Sequence, residues 1–150
     1  MSVQTAGTGR RSGKALASSP TVELLVLGAH LSGQPLNPDL LRIGATLVGE
    51  ARTAPMYRLW ALTTVPAKPG LLRVDTGGAM VTGELWRLSA AAFGLFVAAL
   101  PTPMTIGSVE LADGRRRPGF LVEPAATAGA IDITAYGGWR QYLTAGRDKP

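Results

Sequence analysis

Residues 80–100 read MVTGELWRLSAAAFGLFVAAL, and within them a strand pattern gives way to a helix pattern at a single serine. Residues 80–88 read as a strand, in which alternation sets Glu84 on the face of Trp86. Ser89 is a helix N-cap, because its hydroxyl can accept from the free amides of a first turn. Phe93, Phe96, Val97 and Leu100 then fall at i, i+3, i+4 and i+7, an apolar stripe that predicts a helix over 90–100. Pro101 and Pro103 end it.

Downstream, residues 105–112 and 115–122 flank Asp113-Gly114 and predict a hairpin with a primed turn. Small residues fill 125–130, and 138–143 reads as a short last helix. Upstream, the apolar run 22–28 (VELLVLG) reads as a buried strand that leaves through Gly28-Ala29-His30-Leu31-Ser32-Gly33. Asn37 as N-cap and Pro38 at the first helical position predict a helix over 38–43 that stops at Gly44. Strands are expected over 45–51, 56–64 and 71–75. Short strands around one good helix imply an α+β fold with a curved antiparallel or mixed sheet closing towards a barrel. Without regular helices between the strands, a doubly wound parallel sheet is disfavoured.

The 150 residues fit one domain over 21–145, with residues 1–20 as a Gly- and Ser-rich tail or linker and 146–150 as a second tail. No apolar run reaches the ~18 residues of a membrane span, and no apolar region follows Arg10, Arg11 and Lys14 as in a signal peptide. A cytoplasmic protein with no membrane partner is expected. The absence of cysteine excludes disulfide and thiolate chemistry. The net charge of +5 invites a nucleic-acid reading. It sits, however, in the tails and in Arg115-Arg116-Arg117, without the interleaved aromatics of a binding groove. No nucleic-acid partner is expected.

The blocks LVLGAHLSGQPLN (25–37), APMYRLWAL (54–62), GGAMVTGELWRL (77–88), IGSVELADGR (106–115) and DITAYGGWRQYL (132–143) resemble the C-terminal domain of allophanate hydrolase. The resemblance implies a gamma-glutamylcyclotransferase-like fold, with one main helix on a barrel-like mixed sheet and an anion-binding loop after the first strand. Gamma-glutamylcyclotransferases use a carboxylate just after the helix, but 98–104 (AALPTPM) has none, so that activity is not expected. The amidase triad of full allophanate hydrolases is also missing. Ser18-Ser19 lacks its glycine-rich context, so the chain reads as an excised domain or a stand-alone relative. The implied activity is decarboxylation of N-carboxycarbamate, the dianion an amidase releases.

On the residues, Gly28 and Gly33 allow the loop to turn amides towards one point as an anion nest. Gly28, Ala29, Leu31, Ser32 and Gly33 are therefore candidate substrate contacts, with the Ser32 hydroxyl as a further donor. His30, the only histidine, is the one side chain there that exchanges a proton near neutrality. It is either the catalytic proton donor, acting as imidazolium, or a histidine that bonds its own loop. Tyr57 and Arg58 are candidate substrate contacts. Arg58 shares a strand face with Trp60 and either grips a carboxylate or pairs with Glu84 or Asp132. Glu84 either orients a neighbour or satisfies backbone donors and an arginine. Tyr136 and Arg140, beside Gly137-Gly138, form a second candidate cluster, in which Trp139 is read as structural.

One histidine and no cysteine leave no metal site, and no phosphate loop or dinucleotide fingerprint implies a cofactor. The expected ligand is a small dicarboxylate-like molecule. The competing expectation is a non-catalytic assembly domain, dimeric or docked to an amidase through a sheet edge or the small-residue stretch 124–131.

Overall fold

The computed structural model describes residues 19–147, and the expected tail over 1–20 lies, Ser19 and Pro20 apart, outside them. The strand β1 (Thr21–Val26) occupies the centre of a five-stranded sheet because Leu24, Leu25 and Val26 are apolar towards both faces. It runs antiparallel to β5 (Thr82–Ser89), from Thr21 opposite Ser89 to Val26 opposite Glu84. On its other side it lies parallel to β7 (Arg116–Val122), with Leu25 opposite Gly119. The strands β2 (Thr46–Arg52) and β6 (Met104–Glu110) complete the order β2-β5-β1-β7-β6.

A second sheet has the order β4-β3-β8, formed by β3 (Tyr57–Ala61), β4 (Pro69–Arg73) and the two-residue β8 (Ile131–Asp132). It packs on β7 at closest range through Gly70, where a Cβ would come within 2.7 Å of Val122 Cγ1. The core between the sheets holds Leu24, Leu59, Leu71, Val109 and Ile133, all at most 2% exposed.

The fold is α+β with a mixed sheet, and the sheet is not closed into a barrel. The edge strands meet once, beyond their ends, at the bridge between Thr53 and Leu111. Ala54 donates there to Glu110 and Ala112 to Arg52, both at 2.9 Å. Pro55 follows at once and has no N–H to continue the ladder. The sheet therefore curls until its edges touch at one corner.

The helices are α1 (Asn37–Arg42), α2 (Ala90–Ala98) and α3 (Trp139–Arg147). Ser89 caps α2 as expected, accepting from the Ala92 amide at 3.0 Å. The main helix is only half sunk. Phe93 and Phe96 lean on the core, no residue of α2 is buried, and Leu95 is 75% exposed. Leu100, expected in this helix, lies past its end and still packs on the core. The last helix runs on to Arg147, so Gly146 and Arg147 continue α3 where a tail was expected.

The hairpin turn is not primed. Only Gly114 takes a positive φ (+89°); Gly114 donates to Leu111 and Leu111 to Arg115, as in a type I turn with a glycine bulge. Asp113, held by Arg115, fits the ordinary right-handed position before it. Replacing the α2 cap, Ser89→Ala, is expected to cost about 1 kcal/mol. It would be read as a lower urea midpoint at unchanged slope.

Candidate active site

Where β1 ends, residues 28–33 turn over the end of β5. Leu31 donates to the Gly28 carbonyl at 3.0 Å, and Leu36 to that of Ala29 at 2.8 Å. Asn37, expected to cap α1, instead sends its side-chain amide back to the His30 carbonyl at 2.9 Å. The helix starts without a side-chain cap, and Asn37 ties it to the loop.

Where a nest of loop amides was expected, Ser32 alone turns its donors to an anion, and that anion is the protein's own. Both donors of Ser32, the amide at 2.8 Å and the hydroxyl at 3.0 Å, point to Glu84 Oε1. Trp86 Nε1 joins them at 3.1 Å. From α3, Arg140 Nη2 donates to Glu84 Oε2 at 3.2 Å and to the Ser32 carbonyl at 2.6 Å. Burial works to raise the Glu84 pKa, but these donors outweigh it and hold the carboxyl below its ordinary value. The two roles posed as alternatives for Glu84 occur together: it accepts from the Ser32 amide and Arg140 while also taking the Trp86 and Ser32 side chains.

His30 lies on the other side of the loop, only 8% exposed. Its ring stacks on Phe120 at 5.0 Å between centroids and meets Phe96 edge-on at 5.3 Å. It walls a recess of about 20 Å³ with Gly28, Ala29, Lys68 and Pro69. It also walls an open cleft of about 780 Å³, whose sides carry Leu36, Leu95, Phe96, Leu100 and Met104 and whose charged groups are Asp39, Arg42 and Lys68. Burial pushes the imidazole down to about 4; the Asp39 charge opposes this shift and the Lys68 charge adds to it. The free domain therefore presents a neutral imidazole at pH 7, so the imidazolium of the catalytic alternative is not its resting form.

Gly28 is set by close approach. A Cβ there would lie 2.1 Å from Pro69 Cδ, and this contact draws the β3–β4 loop, with Lys68, against the histidine loop.

The remaining candidates stand apart from this cleft. Arg58 donates through Nε to Asp132 Oδ2 at 2.8 Å and through Nη1 to the Gly77 carbonyl, the ion-pair alternative with Asp132. Tyr57 is buried in the core and accepts from the Glu110 amide at 2.9 Å. Tyr136 is 37% exposed and edge-on to Tyr142. Trp139 is buried and structural. Leu31 turns its side chain into the core, Ala29 is buried, and Gly33 supplies a positive φ of +78° at the loop's exposed end. Sequence reading missed Lys68, Arg42, Asp39 and Phe120. Only a lone lysine between prolines in Pro66-Ala67-Lys68-Pro69 hinted at the first.

A profile of the family described as "Allophanate hydrolase C-terminal domain" matches residues 22–144. The chain belongs to this family. It is 39% identical over 130 residues to urea amidolyase of Saccharomyces cerevisiae, a match covering 83% of this chain and 7% of that protein. The chain thus spans a small part of its curated relatives. The structure is similar to Kluyveromyces lactis allophanate hydrolase, with a TM-score of 0.80 and 39% identity over 84% of this chain and 21% of that one. It is also similar to a uropathogenic E. coli-specific protein, with a TM-score of 0.78 and 38% identity over 83% of this chain and 97% of that one. Likeness to a gamma-glutamyl cyclotransferase, TM-score 0.51 at 11% identity over 75% of this chain and 70% of that one, supports the fold alone. Among the described residues of this family member, no three His, Asp or Glu side chains converge as a metal site would require, and no helix is long and apolar enough to cross a membrane.

The two buried groups give opposite ends of one pH profile. Between pH 6.5 and about 4 the unfolded histidine binds a proton that the folded one does not, so stability falls as pH drops through that window. Glu84, lowered in the fold, loses its contribution only as pH falls below 4.5. In urea titrations across pH, His30→Gln is expected to flatten the upper limb. Glu84→Gln should blunt the lower limb and cost about 1–3 kcal/mol at neutral pH.

Proposed function

We propose that this domain decarboxylates N-carboxycarbamate within the breakdown of urea and allophanate, with His30 delivering the proton. The observation that supports this reading is the placement of the chain's one histidine, desolvated, on the wall of a cleft beside a cation. In the reaction the bond between nitrogen and one carboxylate carbon breaks and CO2 departs. The electron pair stays on nitrogen, and a proton from His30 completes carbamate. A neutral imidazole acquires that proton when the dianion arrives, because two negative charges close to the ring favour its charged form. It passes the proton to nitrogen as charge develops there and is reprotonated from water. Since the reaction also proceeds unaided, the domain need supply only a modest acceleration.

Arg58 and Arg140, candidates to grip the substrate, are committed to Asp132 and to Glu84 with Ser32. Their part is to hold β8 and the histidine loop in place. With N-carboxycarbamate generated by a separate amidase, CO2 release is expected to be faster with this protein than without it, and to fall to the unassisted rate with His30→Ala. Equal rates for wild type, His30→Ala and buffer would discard the proposal.

A second reading, assembly, draws on the exposed apolar surface of Leu95 on α2 and of Val65, 75% and 98% exposed. A domain that docks to an amidase or to its own copy would cover them. Light scattering with and without an amidase partner tests this, and a monomer that ignores the partner excludes it.

A further inference from the structure

We propose that Lys68 is the group that takes one carboxylate of the bound dianion, leaving the other carboxylate in the apolar part of the cleft. This rests on the decarboxylation reading above and gives it its substrate anchor. Among the described residues, seven arginines are each tied to a carboxylate: Arg42 to Asp39, Arg58 to Asp132, Arg87 and Arg117 to Glu23, Arg115 to Asp113, Arg116 to Glu110 and Arg140 to Glu84. Lys68 has no such partner among them; nor do the exposed Arg52 and Arg73, but of these three only Lys68 lines the cleft. It is half-buried and lines both the recess and the open cleft together with His30. A cation drawn partly out of water without a counter-ion loses solvation that an anionic ligand would restore.

Its position is built rather than incidental. The Lys68 carbonyl accepts from the Leu62 amide at 2.9 Å, and the next residue, Pro69, is buried against the bare α-carbon of Gly28. These contacts fix the backbone on either side of the lysine. The charged groups facing His30 are then Asp39, paired with Arg42 on α1, and Lys68, which has no paired carboxylate. The other walls, from α2, β6 and β7, present Phe96, Met104 and Phe120.

This asymmetry suits the chemistry. A carboxylate held by Lys68 stays charged through the reaction and becomes the carboxylate of carbamate. The second, among Phe96, Met104 and Phe120, has no lysine or arginine of its own and only the His30 ring beside it. Its conversion to neutral CO2 removes an unsolvated charge, so the poorer solvation of the ground state favours bond cleavage.

Malonate, which has the same skeleton with CH2 in place of NH, serves as the stable probe. The ring proton of His30, the only histidine, reports its binding by NMR in the whole 150-residue chain. Wild type is expected to bind malonate with a rise in the His30 pKa. In Lys68→Met the free His30 pKa should rise, since a neighbouring cation has gone, and malonate should bind at least about tenfold more weakly. The KM for N-carboxycarbamate should rise by a similar factor with a smaller change in kcat, and Lys68→Arg should recover most of the affinity. A Lys68→Met protein that keeps the wild-type melting temperature and binds malonate within twofold of wild type overturns the proposal while leaving decarboxylation by His30 intact. No malonate response in wild type, together with no acceleration of CO2 release, overturns both.

Discussion

Four donors from three parts of the chain converge on the carboxylate of Glu84: two from Ser32, one from Trp86 and one from Arg140. Glu84 is only 8% exposed, and a buried charge stripped of any partner costs several kcal/mol. The donors are therefore not free to wander, and three elements are bound to one point. The β1–α1 loop is held at Ser32 by β5 and α3, and at the His30 carbonyl by Asn37. The imidazole hangs between these two anchors. Its place in the cleft wall follows from these backbone anchors together with the Phe96 and Phe120 rings packed against it.

On either side of that loop the protein has made opposite electrostatic arrangements. Beneath it, a carboxylate is saturated with donors and held ionised. Above it, an imidazole packed against two phenyl rings is held neutral. The first arrangement gives rigidity. The second gives a base whose protonation depends on what arrives beside it, because an approaching anion is the strongest available influence on a ring already removed from water. The apolar side of α2 belongs to the same region, since Phe96 contacts the histidine ring and Leu95, one residue earlier, lines the same open cleft while largely exposed.

Features set by neighbouring residues were legible in the sequence. Ser89 announced a helix, the run 22–28 a buried strand, and Asp113-Gly114 a turn, because each depends on contacts a few residues long. The blocks that carry the family resemblance pointed to the loop at 28–33 and to the α+β fold. What could not be read depends on pairings across the chain. Alternation put Arg58 on a definite face but could not choose between Glu84 and Asp132, the latter 74 residues away. Asn37 has the local signature of a cap, and tertiary structure spends its amide on the His30 carbonyl. A nest of several amides was expected, but only Ser32 of the loop turns its amide to an anion, and nothing short of the β1–β5 register brings Glu84 beneath it. Barrel closure failed for a similar reason: one proline after Ala54 decides how far two distant edges travel together.

The contact of Gly28 with Pro69 bears on how this surface can change over evolutionary time. Position 28 is closed to every side chain as long as a pyrrolidine ring presses on it, although its backbone geometry alone would admit other residues. Mutational drift at 28 must therefore wait for a smaller or differently angled neighbour at 69. Such a neighbour would loosen the segment that carries the lysine. Divergence at these two sites should be concerted.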